Sequence, residues 1–313
     1  MKKFVQIIAL LTVALWTAAG AEPENFIPRQ APGIIRIDIN RMLTSPELKT
    51  VIDKNNKLKS FLDQISDMLK SPSGRTFQTS ELFSGQLWTA QTGSTAKEAA
   101  TYSKTAVPEA ELQAIISRNP AGKIVEAAGR KTYIYHRNGE NLAVVYLAED
   151  VLLISRLSER LVQEISSSLQ GGGNPLLAHI DRKALVAVAA DMAAVTGKKR
   201  AKIKFINGKM DLSKTMDLTG KVMLHCKDSN EALKTAMKIQ FAIHGMIGML
   251  FSLDEKLAAA LSEALQVMPQ QDKLVISYDL QQDTLQQAVK YMSKLQNLPR
   301  LPDNKAVGPK KNK

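Results

Sequence analysis

Short runs of Val, Ile and Leu alternate along the chain with longer segments in which apolar residues recur every three or four positions. The short runs predict β-strands, and the longer segments predict amphipathic helices. Because strands and helices are interspersed along the whole chain, the pattern predicts an α+β protein. The clearest strands are predicted at residues 33–40, 184–190 and 273–280, and the clearest helices at residues 45–69, 228–253 and 283–295. The helix at 228–253 is predicted to begin with a capping box of Asp228 and Glu231, and to turn Leu233, Ala236 and Met237 inward and Lys234 and Lys238 outward. A further helix at 254–268 is predicted to stop at Pro269.

Two stretches predict β-hairpins. Residues 123–157 read as three or four consecutive strands, with a turn at Asn138 and Gly139. Residues 202–210 (KIKFINGKM) predict a further hairpin, whose turn is placed at Asn207 and Gly208 because Asn-Gly favours positive φ angles.

Similar segments recur in the two halves of the chain. Residues 150–155 and 272–277 both follow the pattern D-x-L-φ-I-S, and a helical segment comes after each. Asp38 and Asp191 each follow an aliphatic strand near the start of a half. A chance likeness between aliphatic strands is the alternative to a duplication. The duplication hypothesis predicts two related split β-α-β (ferredoxin-like) lobes, with antiparallel or mixed sheets covered by helices.

A glycine-rich stretch separates these halves. Gly171, Gly172 and Gly173 stand in a row and are followed by Asn174 and Pro175. Such a composition is typical of a linker. The predicted organisation is therefore an N-terminal lobe at 22–170, a linker at 171–175, a C-terminal lobe at 176–297 and a basic, flexible tail at 298–313.

The first residues have the three parts of a secretory signal. Lys2 and Lys3 precede an apolar run from Phe4 to Trp16, and small residues follow up to Ala21. Residues 1–21 are therefore predicted to be a cleaved signal peptide, and the protein is predicted to be exported to the periplasm or the exterior of a bacterium. A retained anchor is the alternative, but the apolar run is shorter than the roughly 18 residues that a membrane-spanning helix needs.

The layout also resembles that of exported bacterial proteins of unknown function that are built from two such lobes. The segments that carry the resemblance are IDINRMLTSPELK, AGRKTYIYHRN with the following LAVVYLAEDVLLIS, and ALVAVAADM. The resemblance covers most of residues 33–296. It consists of a similar order of apolar and polar positions and includes no diagnostic motif. The resemblance implies export and the fold, and it implies no activity.

Few residues in the sequence suggest chemistry. The chain has one Cys and four His, so an intramolecular disulfide is excluded, and no two His have metal-ligand spacing. No metal site and no cofactor are predicted. Cys226 is predicted to share the core-facing side of its strand with Leu224, while His225 points the other way.

Two further patterns are candidates for catalysis. Ser94 and Lys97 fit S-x-x-K, but the S-D-N and K-T-G elements that accompany this motif in penicillin-recognising enzymes are absent. Asp38 and Asp191 would form an acid/base pair if the halves faced each other, whereas a carboxylate after a strand more often caps the next turn. We expect a polar loop and two caps, and we predict no catalytic residue.

The net charge of +12 is partly concentrated in one cluster. Basic side chains that alternate with apolar ones predict a strand with a positive face, which would attract an anionic polymer or lipid headgroups. The alternative is a charged surface that only protects an edge strand. Nucleic acid is not expected as a partner, because the protein is predicted to be exported and is poor in aromatic residues. The candidate anion-contact patch consists of Lys198, Lys199, Arg200, Lys202 and Lys204.

One helical segment is apolar on every side. Residues 241–253 (FAIHGMIGMLFSL) have His244 and Ser252 as their only clearly polar members. Such a helix is expected in the core, between two helices and a sheet. The alternative is that it presents a methionine-rich face to a partner or a membrane surface.

Together these features predict a non-catalytic binding or interaction protein of the bacterial envelope. Its predicted partner is an envelope protein or an anionic polymer or lipid surface, without a stable transmembrane anchor. The oligomeric state is left open. The alternative function is an envelope hydrolase whose site is assembled from residues far apart in the sequence.

Overall fold

Among the residues that the computed structural model describes, twelve strands form one antiparallel sheet and eight α-helices pack beside it. The α+β class is therefore confirmed. The predicted helix at 45–69 lies almost entirely outside the described residues. The structure describes residues 21–45, 74–93, 98–118, 122–137, 140–197, 201–213, 215–252 and 254–296.

The described elements follow the predicted alternation of strands and helices. The strands are β1 Gly33–Asp38, β2 Ser84–Gln91, β3 Ala99–Lys104, β4 Lys123–Ala127, β5 Arg130–Arg137, β6 Glu140–Ala148, β7 Val151–Arg156, β8 Val186–Asp191, β9 Ile203–Leu212, β10 Leu218–Cys226, β11 Leu265–Gln270 and β12 Lys273–Leu280. The helices are α1 Ile39–Thr44, α2 Thr79–Leu82, α3 Glu109–Ser117, α4 Leu161–Gln170, α5 Met192–Thr196, α6 Ser229–Leu250, α7 Glu255–Glu263 and α8 Gln282–Gln296, with 3₁₀ turns at Pro23–Phe26 and Pro175–His179.

The two halves of the chain share this sheet. The strand order is β11-β12-β10-β9-β8-β1-β2-β3-β7-β6-β5-β4. The first strands of the halves, β1 and β8, pair antiparallel at the junction, with Ile35 opposite Val188. The sequence predicted separate sheets. The structure joins them because this pairing satisfies backbone groups that two isolated sheet edges would leave open.

Each half also uses its strands in the same spatial order. From the junction outward, the first half runs β1-β2-β3-β7-β6 and the second runs β8-β9-β10-β12-β11. The first half adds the hairpin of β4 and β5 at its outer edge. The two D-x-L-φ-I-S segments occupy equivalent places, since they form β7 and β12 and precede α4 and α8.

The sheet buries apolar side chains on both faces. On one face, Trp88, Tyr102 and Leu153 are cross-strand neighbours and pack with Leu161 and Ile165 of α4. The cross-strand register places the other two core clusters together on the opposite face. One includes residues of α3, and the other lies under α6. Helix α6 therefore covers only the part of that face formed by β10, β11 and β12, in the second half of the chain.

The predicted hairpin at residues 202–210 is wrong. Residues 203–210 belong to one continuous strand, β9, in which Asn207 pairs with both Ala189 and Met223. Hydrogen bonding to a neighbour on each side outweighs the local turn preference of Asn-Gly. Gly208 has a different role there, because a Cβ atom would lie 3.1 Å from the Lys221 carbonyl oxygen.

The glycine-rich stretch is tied to the start of the described chain. The Gly172 N–H donates to the carbonyl oxygen of Asn25, 3.0 Å away. Asn174 is buried, and its amide donates to the carbonyls of Pro28 and Ala31 at 2.8 and 3.0 Å. These contacts hold the segment against residues 25–31.

Candidate functional site

Helix α6 begins with a well-formed cap. The Asp228 carboxylate accepts the backbone N–H of Glu231 at 2.8 Å, as in the first half of a capping box. The Glu231 carboxylate does not complete the box, because it pairs with Lys202 at 3.0 Å. The sequence therefore fixes where the helix starts, and a basic side chain from the adjacent β-sheet lies beside that start.

The side of α6 that faces the sheet is narrow and lined partly by small residues. Ala232 and Ala236 are buried, and Ile239 packs against the cluster around Leu224 and Leu274. These helix positions are spaced by four and three residues, which places them on one side of the helix. Alanines allow close approach to the strands but leave the larger apolar side chains on the other sides of the helix.

The largest apolar side chains of α6 face solvent. Phe241 is 84% exposed, Met249 is 72% exposed and Met237 is 65% exposed. Leu233 and Met246 are each 50% exposed. They are spread over the exposed sides of the helix and do not form one stripe, since Met237 and Met246 are nine residues apart and point in opposite directions at 3.6 residues per turn. We call these five residues together the α6 apolar face. A soluble protein scatters single apolar residues over its surface, but five along one helix mark a contact surface.

This arrangement overturns two predictions. The segment 241–253 was expected in the core, but in its described part Phe251 is buried whereas Phe241 and Met249 are mostly exposed. Leu233 and Met237 were also expected to face inward, and they face outward. Ala232, Ala236 and Ile239 occupy the inner side of the helix instead of Leu233 and Met237. The small alanine side chains allow the helix to lie closer to the sheet.

The charge around the α6 apolar face is positive. Lys234 and Lys238 are exposed on the first half of the helix. No acidic residue occurs between Glu231 and Asp254 in the sequence, and Glu231 is already paired with Lys202. The outer side of α6 therefore combines apolar groups with two lysines, and the one carboxylate within this helix, that of Glu231 three residues before Lys234, pairs with Lys202.

The predicted anion-contact patch adjoins this helix, as far as the structure describes it. Lys202, just before β9, and Lys204, within its first residues, are both exposed. The Lys202 carbonyl accepts the N–H of Lys227 just before α6. Lys198, Lys199 and Arg200 lie outside the described residues. Two features that are separate in the sequence, the basic cluster and the apolar helix, are thus neighbours in the fold.

Cys226 and His225 do not form a nucleophile and base. Cys226 is buried with Leu224 on the helix-covered face, and burial, aided by the charge of Glu231, raises the pKa of its thiol. His225 points to the other face, where its ring contacts Phe205. Burial, with the nearby charge of Lys273, lowers the pKa of the His225 imidazole.

Asp38 and Asp191 act as caps and lie far apart. The Asp38 carboxylate accepts the N–H of Arg41 at 2.9 Å, and the Asp191 carboxylate accepts that of Ala193 at 2.9 Å. In the antiparallel pair of β1 and β8, Gly33 lies opposite Ala190, so Asp38 and Asp191 lie at opposite ends of the pair. At about 3.3 Å per residue, the two residues are roughly 20 Å apart. The acid/base hypothesis is therefore wrong, and the cap prediction is confirmed.

A buried polar cluster around Glu164 is a structural network. Glu164 is buried beside a small cleft, and its two carboxylate oxygens accept hydrogen bonds from Thr92 at 2.7 Å and Ser155 at 2.6 Å. Both oxygens are occupied, so this carboxylate links α4 to the sheet. Ser94 and Lys97 lie outside the described residues. Within the described ranges, no group of three or more His, Cys, Asp or Glu side chains is placed to hold a metal ion.

No protein-family model and no curated protein matches the chain. A solved structure described as crystal form I of TP0453 is similar to it, with a TM-score of 0.47 and 13% sequence identity. The match covers 87% of this chain and 98% of that chain. Of the helices that the structure describes, none has the length and hydropathy to cross a bilayer.

Proposed function

We propose that this protein is exported and binds, without catalysis, to the surface of an anionic lipid membrane through the α6 apolar face. The observation that carries the proposal is the exposure of Phe241, Met249 and Met237, at 84%, 72% and 65%. A helix with apolar groups outward and lysines nearby is typical of proteins that lie in the plane of a membrane interface.

The geometry of α6 suits this position. The helix has 22 residues, so it is about 33 Å long at 1.5 Å per residue. Its second half carries Phe241, Met246 and Met249, while Lys234 and Lys238 lie on the first half. The apolar half would enter the acyl boundary, and the long lysine side chains would reach the headgroups.

Positive charge favours an anionic membrane over a neutral one. A lysine near such a surface contributes about 1 kcal/mol, and salt weakens that attraction. Lys202 is partly neutralised by Glu231, so Lys234 and Lys238 are the main described cations beside the apolar side chains. Their contribution separates this proposal from a purely apolar contact with another protein.

Vesicle co-sedimentation tests the proposal. We expect the purified protein to bind vesicles that contain phosphatidylglycerol, to bind phosphatidylcholine vesicles more weakly, and to lose affinity for the anionic vesicles as salt is raised. The double variant Lys234→Gln/Lys238→Gln should lose most of the difference between the two lipids. A matched control is Lys123→Gln/Lys131→Gln, because these exposed lysines lie on β4 and β5, at the far end of the sheet.

The absence of binding to either kind of vesicle would refute the proposal. If the protein then self-associates in a concentration-dependent way, and the Phe241→Ser change abolishes this, the α6 apolar face would be assigned to a second copy of the chain.

We also propose that the two halves descend from one duplicated unit. The shared strand order and the equivalent placement of β7 and β12 support this. Under this proposal α6 is an elaboration of the second half, since α3, which follows β3 in the first half, has only 9 residues. The lipid-binding element would then have arisen after the duplication.

A further inference from the structure

Three methionines dominate the α6 apolar face. Met237, Met246 and Met249 are 65%, 50% and 72% exposed. Among the other methionines whose side chains the structure describes, Met268 reaches 40%, and Met42, Met192, Met210, Met216 and Met223 are only partly exposed. Of these described thioethers, the ones that oxidants in solution reach most easily are therefore on the proposed lipid-binding surface.

Oxidation of a methionine thioether changes the polarity of its side chain, so exposed methionines make a lipid-binding surface sensitive to oxidants. Hydrogen peroxide transfers one oxygen atom to the sulfur, whose lone pair forms the new S–O bond while the O–O bond breaks, and water is released. The sulfur is oxidised by two electrons and the peroxide is reduced by two. The product, methionine sulfoxide, is polar, and it disrupts apolar contacts that methionine makes.

We propose that Met237, Met246 and Met249 form an oxidation site whose conversion to sulfoxides releases the protein from the lipid surface. This inference rests on the proposed lipid binding. A sulfoxide at these positions does not disturb the core, because the side chains already face water. The fold should therefore survive while the helix loses its affinity for an acyl environment.

The competing thiol is protected. Cys226 is buried and its pKa is raised by burial, so little thiolate is available to peroxide. A loss of binding after mild oxidation should therefore report on methionine. Mass spectrometry of peptides identifies which sulfur atoms have gained oxygen.

The test compares two proteins before and after limited treatment with hydrogen peroxide. One is the unchanged chain, and the other is the variant Met237→Leu/Met246→Leu/Met249→Leu, which keeps apolar side chains of similar volume and good helix propensity. We expect peroxide to reduce the binding of the unchanged chain to phosphatidylglycerol vesicles about tenfold or more, and to leave the variant nearly unaffected. Methionine sulfoxide reductase should restore the binding of the oxidised chain.

The outcomes separate this inference from the function on which it rests. If the untreated chain does not bind vesicles, the proposed function fails and the inference fails with it. If untreated protein binds and the sulfoxides form at all three positions without loss of binding, only the oxidation site is overturned. An equal loss in the leucine variant would also overturn it, since oxidation elsewhere would then be responsible.

Discussion

The substitution Phe241→Ser should separate membrane binding from folding. Phe241 is 84% exposed, so its side chain contributes little to the core in water. Surface substitutions of this kind change the free energy of unfolding by about 0.5 kcal/mol or less. We therefore expect the denaturation midpoint of the variant to match that of the unchanged chain.

The effect on lipid binding should be much larger. Transfer of a phenylalanine side chain out of water contributes about 1.5 to 3 kcal/mol, and an exposure of 84% makes most of that available. A loss of about 2 kcal/mol corresponds to a roughly 30-fold lower partition coefficient. Co-sedimentation with phosphatidylglycerol vesicles measures this ratio.

A matched control comes from another helix. Val162 on α4 is 53% exposed and lies outside the α6 apolar face. We expect Val162→Ser to leave vesicle binding within about a factor of two of the unchanged chain, because a change of that size is under half a kcal/mol. Equal vesicle affinities for Phe241→Ser and Val162→Ser, at equal stability, would refute the assignment of the lipid surface to α6.

Three further changes test the structural account. Gly171 has a φ of +64°, and a Cβ atom there would lie 2.8 Å from the Asn25 carbonyl oxygen. Gly171→Ala should therefore lower the free energy of unfolding by about 1 kcal/mol or more, as measured by urea titration. An unchanged urea midpoint would contradict the observed packing. Asp228→Ala removes the cap of α6 and should cost about 1 kcal/mol, whereas Asp228→Asn should retain most of the stability. Burial, with the charge of Lys273, lowers the pKa of His225 in the folded protein. As the pH falls through about 6.5, the unfolded chain therefore binds more protons at this residue than the folded protein does, and the free energy of unfolding decreases. Unfolding between pH 7 and pH 5 should therefore depend less on pH in His225→Gln, and the same pH dependence in both proteins would rule this out.

Local patterns predicted most of the described strands and helix starts. The aliphatic run before Asp38 becomes β1, residues 273–280 become β12, and Asp228 caps α6 as expected. These features depend on side-chain alternation and on hydrogen bonds within a few residues, so sequence is sufficient to indicate them. Asp38 and Asp191 were predicted as caps for the same reason.

The errors occur where distant strands decide the outcome. Asn207 and Gly208 lie within β9 because β8 and β10 pair with it on both sides. Pro269, expected to stop a helix, instead lies in the edge strand β11, where a missing N–H is tolerated on the open side.

The sequence by itself determined the α+β class, most element boundaries and the presence of a basic cluster and an apolar helix. It could not determine which side of that helix is buried, since the stripe of Ala232 and Ala236 and the stripe of Leu233 and Met237 have the same helical spacing. Only the tertiary structure decided this, because the close approach of α6 to the sheet selects the small residues and turns the large ones outward. The same packing places Lys202 beside the start of α6 and creates the candidate lipid-binding surface.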